Sequence, residues 1–291
     1  MLIDTGVVTE RRLVHGADLE VDVHGAGEPV LLVQTALTAD ELLPIAQQPV
    51  LADRYQTILY HRRGYAGSSS ASAPGSIVRD AKDAAALLDV LGIEHAHVVG
   101  LSFSGAIALQ LASAVPDRVH SLTLIEPPPV HVPSAAEFRA ANARLQESRR
   151  RAGVAAALDE FMTLLVGQHW RAETERNLPG SVTQLERDAA TFFDIDIPAL
   201  LGWNYTAADA ALIAAPVLYV GGTDSGRWFA EVRELLLSWL PRAEDVLIVG
   251  ADHSLAITHA DAIASNLAAF LERHPIPGQR SSARSAASYG D

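Results

Sequence analysis

Short, uniformly apolar runs recur along the chain, with amphipathic stretches between them. The runs are EPVLLVQT (28–35), RYQTILYHR (54–62), HAHVVGL (95–101), HSLTLIE (120–126), APVLYVGG (215–222) and EDVLIVGAD (244–252). Each has strand length, and most are flanked by Gly, Pro or Asp. Apolar side chains at successive positions suit strands covered on both faces, as in a parallel sheet. Helical spacing fills the intervals. SIVRDAKDAAALLDVLGI (76–93) puts Ile77, Ala81, Ala84, Leu87, Leu88 and Leu91 on one stripe and closes on Gly92 as a C-cap. GAIALQLASAVPDRV (105–119) follows the third run, and HADAIASNLAAFLERH (259–274) turns Ile263, Leu267, Phe270 and Leu271 inward. Strand and helix in alternation predict an α/β fold with a mostly parallel, doubly wound sheet.

One interval breaks the alternation. From Pro127 to about Asn204 the pattern is helical throughout, as in AAEFRAANARLQESRRRAG and VAAALDEFMTLLVGQHW, and it is entered through Pro127-Pro128-Pro129. A helical insertion between two sheet strands predicts a lid over the strand ends. The expected division is a core of residues 11–126 and 205–274, a helical cap of 127–204, and a disordered tail of 275–291 rich in Pro, Ser, Gly and Ala. The first ten residues or so look loosely held.

Composition narrows the function classes. Of 291 residues, 49% are hydrophobic and 20% charged, the balance of a globular protein. A net charge of −13 argues against nucleic acid or an anionic membrane as partner. There is no cysteine, which excludes disulfides, thiol nucleophiles and cysteine-ligated metals. The opening MLIDTGVVTERR has no basic-then-apolar leader pattern, and no apolar run reaches the length of a membrane span. A cytoplasmic location is the expectation.

The candidate chemistry lies in HVVGLSFSGA (97–106). Here a serine stands between a buried strand and a helix, in the pattern small-x-Ser-x-small. A nucleophile on so sharp a turn needs small neighbours two residues away, a requirement met by Gly100 and Ser104. Gly105 lets the helix approach closely. The turn also aims the helix N-terminus at any negative charge developing near Ser102. A base is required, and His253 in VGADHSLA follows the last strand, so its loop should reach the same sheet edge. The other histidines occupy positions that read as surface, lid or structural.

At these residues the chain resembles the α/β-hydrolase superfamily, among its cap-bearing serine hydrolases related to C–C bond hydrolases, esterases and cofactor-free haloperoxidases. The resemblance spans about residues 12–274. It rests on GLSFSG, on YHRRGYAGSS (60–69), similar to the family's D-x-R-G-x-G-x-S loop, on GGTDS (221–225) and on GADH (250–253). It implies a Ser102–His253–acid triad and an oxyanion hole built from the N–H groups of Phe103 and Ala36.

Three departures from the family pattern stand out. Gln34-Thr35 replaces the His-Gly that usually opens the oxyanion loop, and Gln34 or Thr35 is a candidate substrate contact. His61 replaces the Asp that heads the Arg-Gly loop, where a structural role is expected. The acid has two candidates. Asp224 falls one residue short of the family's usual place after its strand, and Glu126 ends the preceding strand at the same sheet edge. Either carboxylate would hold the histidine tautomer, with Glu126 preferred.

The resemblance implies an acyl-enzyme mechanism with no metal and no organic cofactor. Phe103, Leu37 and the lid aromatics Phe161, Trp170, Phe192, Phe193 and Trp203 would make an apolar pocket for a small or medium ester, thioester or lactone, although most lid aromatics belong by default to lid core. Leu37, Trp170 and Phe193 are the named substrate contacts. The alternatives are a C–C bond hydrolase, a cofactor-free perhydrolase, and a non-catalytic ligand binder on the same fold. The partner expected is a small-molecule substrate. Trp228, Phe229, Leu235, Leu236 and Trp239 form an apolar helix face, to pack on the sheet or to serve a homodimer.

Overall fold

The structure is a computed structural model, and it describes residues 8–278. Its centre is an eight-stranded sheet: β1 Val8–Val14, β2 Ala17–His24, β3 Glu28–Val33, β4 Tyr55–Tyr60, β5 Ala96–Leu101, β6 Val119–Ile125, β7 Val217–Gly222 and β8 Glu244–Ile248. The spatial order is β1-β2-β4-β3-β5-β6-β7-β8. β2 runs antiparallel to β1 and β4, and every other pairing is parallel.

β3 to β8 coincide with the six apolar runs of the sequence. The hairpin β1–β2 was not among them. In ADLEVDVH the buried residues Ala17, Leu19 and Val21 alternate with wetter ones, because β2 covers the core with one face only. A search for uniformly apolar runs passes over such a strand. Its turn is His15-Gly16, with φ of 46° and 77°, the paired positive values that suit a right-twisted two-residue hairpin.

The period of two is visible in β3. Leu31 and Val33 join one apolar layer with helices Ile77–Val90, Phe103–Ala114 and Arg227–Trp239. Val30 and Leu32 join the opposite layer with helix Ala260–Arg273 and the segment around Ile45 and Leu51. Each fully buried Leu or Val contributes about 1.5–3 kcal/mol from leaving water. Helix Ile77–Val90 begins with the Ser76 side chain accepting the Arg79 N–H, and Gly92, at φ 69°, turns the chain out after it.

Between β6 and β7 the chain is helical. It runs through Ala135–Ala152, Val154–Leu165, Trp170–Asn177 and Ser181–Thr191, then a π-helical turn Phe192–Asp196 leading into Ile197–Leu201. This insert has its own apolar cluster, in which Leu145, Leu158, Met162, Trp170, Leu185 and Phe193 surround Leu37 of the sheet domain. At the other end of the chain, Ile276 is buried and its N–H donates to Glu28. The predicted tail lies mostly beyond this point, from residue 279 outside the described residues. Among the described residues no helix is long and apolar enough to cross a membrane.

Candidate active site

Ser102 leaves the end of β5 with φ 48° and ψ −120°, a conformation disfavoured for any residue with a Cβ. The sequence supplies what that turn needs. A Cβ on Gly100 would stand 2.5 Å from the Ser104 carbonyl oxygen, and one on Gly105 would stand 2.9 Å from the Pro127 ring. The Ser104 hydroxyl is buried and bonds both the N–H and the C=O of Leu101, 2.9 Å each, stapling the strand end to the helix start. Ser102 itself remains partly accessible.

The Ser102 Oγ lies 3.0 Å from His253 Nε2. On the far side of the imidazole, Nδ1–H donates to Glu126 Oε2 at 2.7 Å. Glu126 is fully buried at the end of β6, also in a left-handed conformation at φ 43°. Its second oxygen accepts the Gly222 N–H at 2.7 Å. Asp224, the other candidate, is exposed; its Oδ1 pairs with the Thr223 hydroxyl and its N–H donates to the Ala251 carbonyl. The structure therefore brings Ser102, His253 and Glu126 into one hydrogen-bonded chain and leaves Asp224 outside it.

The loop after β3 meets the end of β5 next to Ser102, where Thr35 bonds Leu101. Among the described residues, the N–H groups of Ala36 and Phe103 donate to no protein acceptor, while the Ser102 N–H donates to the Ile125 carbonyl and that of Gly105 to the Ser102 carbonyl. Leu37, at φ 68°, donates its N–H to the Tyr65 hydroxyl at 3.1 Å. Gln34 and Thr35 are buried and turned into the loop. The Gln34 Oε1 accepts the Arg62 N–H at 2.8 Å, its amide donates to the Thr35 carbonyl, and the Thr35 hydroxyl donates to the Leu101 carbonyl at 2.9 Å. From the insert, Gln184 accepts the Ala39 N–H and donates to the Leu37 carbonyl, 3.1 and 3.0 Å.

The remaining candidates fall elsewhere. Trp170 and Phe193 are fully buried in the insert's own cluster together with Leu37, and the Trp170 indole donates to Asp159 at 3.0 Å. His61 is buried between Glu20 and Asp40, at 2.9 Å from each. Burial alone would lower its pKa, but hydrogen bonds to Asp40 and Glu20 lift it to about 9, so it stands as a cation where the family pattern has an Asp. Among the described residues no cluster of three or more His, Asp or Glu side chains is placed to hold a metal ion.

Three neighbours of the site were not singled out for it in the sequence. The Phe229 ring stacks on the His253 imidazole, centroids 3.9 Å apart and planes 17° from parallel. Glu41 sits at the end of the loop after β3; burial pushes its carboxyl up to about 7, against the opposing pull of His253. Arg62 lies fully buried over the Phe103 ring. Phe229 had a signal as part of an apolar helix face, and Arg62 as part of the Arg-Gly loop; Glu41 had none.

The chain belongs to the α/β-hydrolase family. The sequence profile described as alpha/beta hydrolase fold matches residues 29–260. A protein of Variovorax paradoxus named carbamate hydrolase RutD is 30% identical over 89% of this chain and 98% of its own length. One of the same name from Azorhizobium caulinodans is 42% identical, over 38% of this chain and 42% of its own. Several of the similar curated proteins are thus matched over only about two-fifths of their length. Among solved structures, the enol-lactonase of Burkholderia xenovorans shares the fold at a TM-score of 0.72 and 22% identity, covering 90% of this chain and 100% of that one. An alpha/beta hydrolase of Sphaerobacter thermophilus does so at 0.67 and 27%, with the same coverage.

Proposed function

We propose that this α/β-fold hydrolase is a serine hydrolase acting on a small or medium apolar ester, thioester or lactone. The reading is carried by one observation, the continuous hydrogen-bonded chain Ser102–His253–Glu126, and it is supported by the N–H groups of Ala36 and Phe103, which have no protein acceptor among the described residues. The Ser102 oxygen attacks the substrate carbonyl while His253 takes its proton. The Ala36 and Phe103 N–H groups receive the negative oxygen. Collapse breaks the bond to the leaving group, which takes the proton from His253 and departs. Water, deprotonated by His253, then attacks the acyl-Ser102 carbonyl, and the acid leaves as the proton returns to Ser102. Glu126 holds the imidazole in the tautomer that presents Nε2 to the serine and stabilises it when charged.

The names of the relatives favour a second substrate class for the same residues. A carbamate differs from an ester by a nitrogen on the scissile carbonyl and would use the same nucleophile and the same donors.

Intact-mass labelling with a serine-directed fluorophosphonate tests the reading. The wild type should take one adduct and Ser102→Ala none. A wild type that stays unlabelled while binding a small ester would reduce the chain to a binding scaffold. Side-by-side turnover of an ester and the matching carbamate then decides the substrate class.

A further inference from the structure

The Ala36 N–H is half of a peptide group whose other half is the Thr35 carbonyl. That carbonyl accepts from Arg62 Nη2 at 3.3 Å and from the Gln34 amide. A peptide is planar, with C=O and N–H pointing opposite ways. Holding the Thr35 oxygen therefore sets the direction of the Ala36 N–H. A cation on the carbonyl side also polarises the group and strengthens its donor side. The flanking groups are held as well, the Gln34 carbonyl by Arg62 Nε at 3.0 Å and the Leu37 N–H by the Tyr65 hydroxyl.

Arg62 can hold so firmly because each of its N–H donors is engaged. Nη1 donates to Asp80 at 2.9 Å and to Asp196 Oδ1 at 3.1 Å, and Nη2 also donates to Asp196 Oδ2 at 2.7 Å. Its guanidinium lies 4.5 Å from the Phe103 ring centroid and 5.1 Å from that of Tyr65. One buried cation thus touches the residue that carries each free N–H or the peptide behind it.

Asp196 is the link outward. It is buried in the π-helical turn of the insert, accepts Arg62 through both oxygens, and accepts the Tyr65 hydroxyl at 2.6 Å. π-helical turns are uncommon and recur at functional sites. The insert therefore grips both groups that fix the peptides around Ala36.

We propose that Arg62 is the positioning residue for the Ala36 donor, and that Asp196 makes this donor depend on the seating of the helical insert. The inference rests on the reading of Ala36 as an oxyanion donor. It separates two jobs that a cap is often credited with. Walls of a pocket change substrate affinity, whereas a support for the oxyanion donor changes only the stabilisation of the transition state.

The test uses the full chain, p-nitrophenyl butyrate and the fluorophosphonate, with Asp196→Asn, Arg62→Lys and Tyr65→Phe, each checked by thermal melting. Asp196→Asn and Arg62→Lys should lower kcat by about tenfold or more, slow labelling in parallel, and leave KM within about twofold. Tyr65→Phe keeps the charges and should lose several-fold; it decides the matter if the charge variants do not fold. Folded variants with wild-type kcat and labelling rate, or with KM alone altered, overturn the inference while the hydrolase reading stands. A wild type that neither labels nor turns over ester overturns both.

Discussion

The Phe229 ring lies flat on the His253 imidazole, 3.9 Å between centroids, so one face of the middle member of the Ser102–His253–Glu126 chain is closed by an aromatic plane. Stacking of this kind adds about 0.5–1.5 kcal/mol beyond simple burial. Phe229→Leu should therefore lower kcat on a small ester by about three- to tenfold with little change in melting temperature, and Phe229→Tyr should keep most of the rate. Equal kcat in Phe229→Leu and wild type would show that the imidazole needs no support on that face.

Glu126 and Asp224 make a clean pair for comparison, since one is fully buried against His253 and the other is exposed. Glu126→Gln preserves shape but removes the charge opposite the imidazole. It should cost about 10³-fold or more in kcat. Asp224→Asn should stay within about twofold. The reverse ranking, read from initial rates on one ester, would move the acid to the loop after β7.

His61 should give the stability a visible dependence on alkaline pH. Its pKa is raised to about 9 from an unfolded value of 6.5, despite burial, by hydrogen bonds to Asp40 and Glu20. The protonated form is thus favoured by folding. Its contribution is complete below pH 6.5, fades as pH rises through 9, and amounts to at most about 3 kcal/mol. Melting curves at pH 6 and pH 9.5 should differ less in His61→Gln than in the wild type. The same drop in both proteins would assign the pH dependence to other groups.

Glu41 should act in the same direction but in a lower window. Burial raises its carboxyl to about 7 from 4.5, and among the described residues no hydrogen bond reaches its side chain. Folding favours the neutral acid, so stability falls as pH climbs from 4.5 through 7. Glu41→Gln should melt a few degrees higher than wild type at pH 8 and at the same temperature at pH 4.5. No gain at pH 8 would mean that the ionised carboxylate is already well accommodated.

The parts of this molecule legible in the sequence are those fixed by neighbours along the chain. β3 to β8 announce themselves because both faces are buried. The turn at Ser102 does so because small residues must flank it. His253 could be singled out because it follows the last apolar run. β1 and β2 were hidden because one face is wet and the apolar run is broken. The acid stayed open between Glu126 and Asp224, since both stand at strand ends on one sheet edge and only a side-chain hydrogen bond separates them. Trp170 and Phe193 read as insert core by default and as pocket wall in the alternative, and the structure buries both among insert residues. Arg62, Asp196 and Tyr65 meet across about 130 residues of chain, and no local pattern reports such a meeting.

Ser102 and Glu126 each take the first step off adjoining strands, and from the pair His97–Ser121 onward the ladder between those strands runs in register to their ends, Gly100 beside Leu124 and Leu101 beside Ile125. Ser102 still donates its N–H to the Ile125 carbonyl, and Glu126 donates its own to Val220. The gap between hydroxyl and carboxylate is therefore set by strand pitch, about 4.8 Å per step, rather than by loop conformation. Warming that loosens surface segments leaves that gauge intact, and only melting of the central sheet erases it. Thermal inactivation should then come in two stages, a reversible loss as the His253 loop slackens and an irreversible one as the strands part.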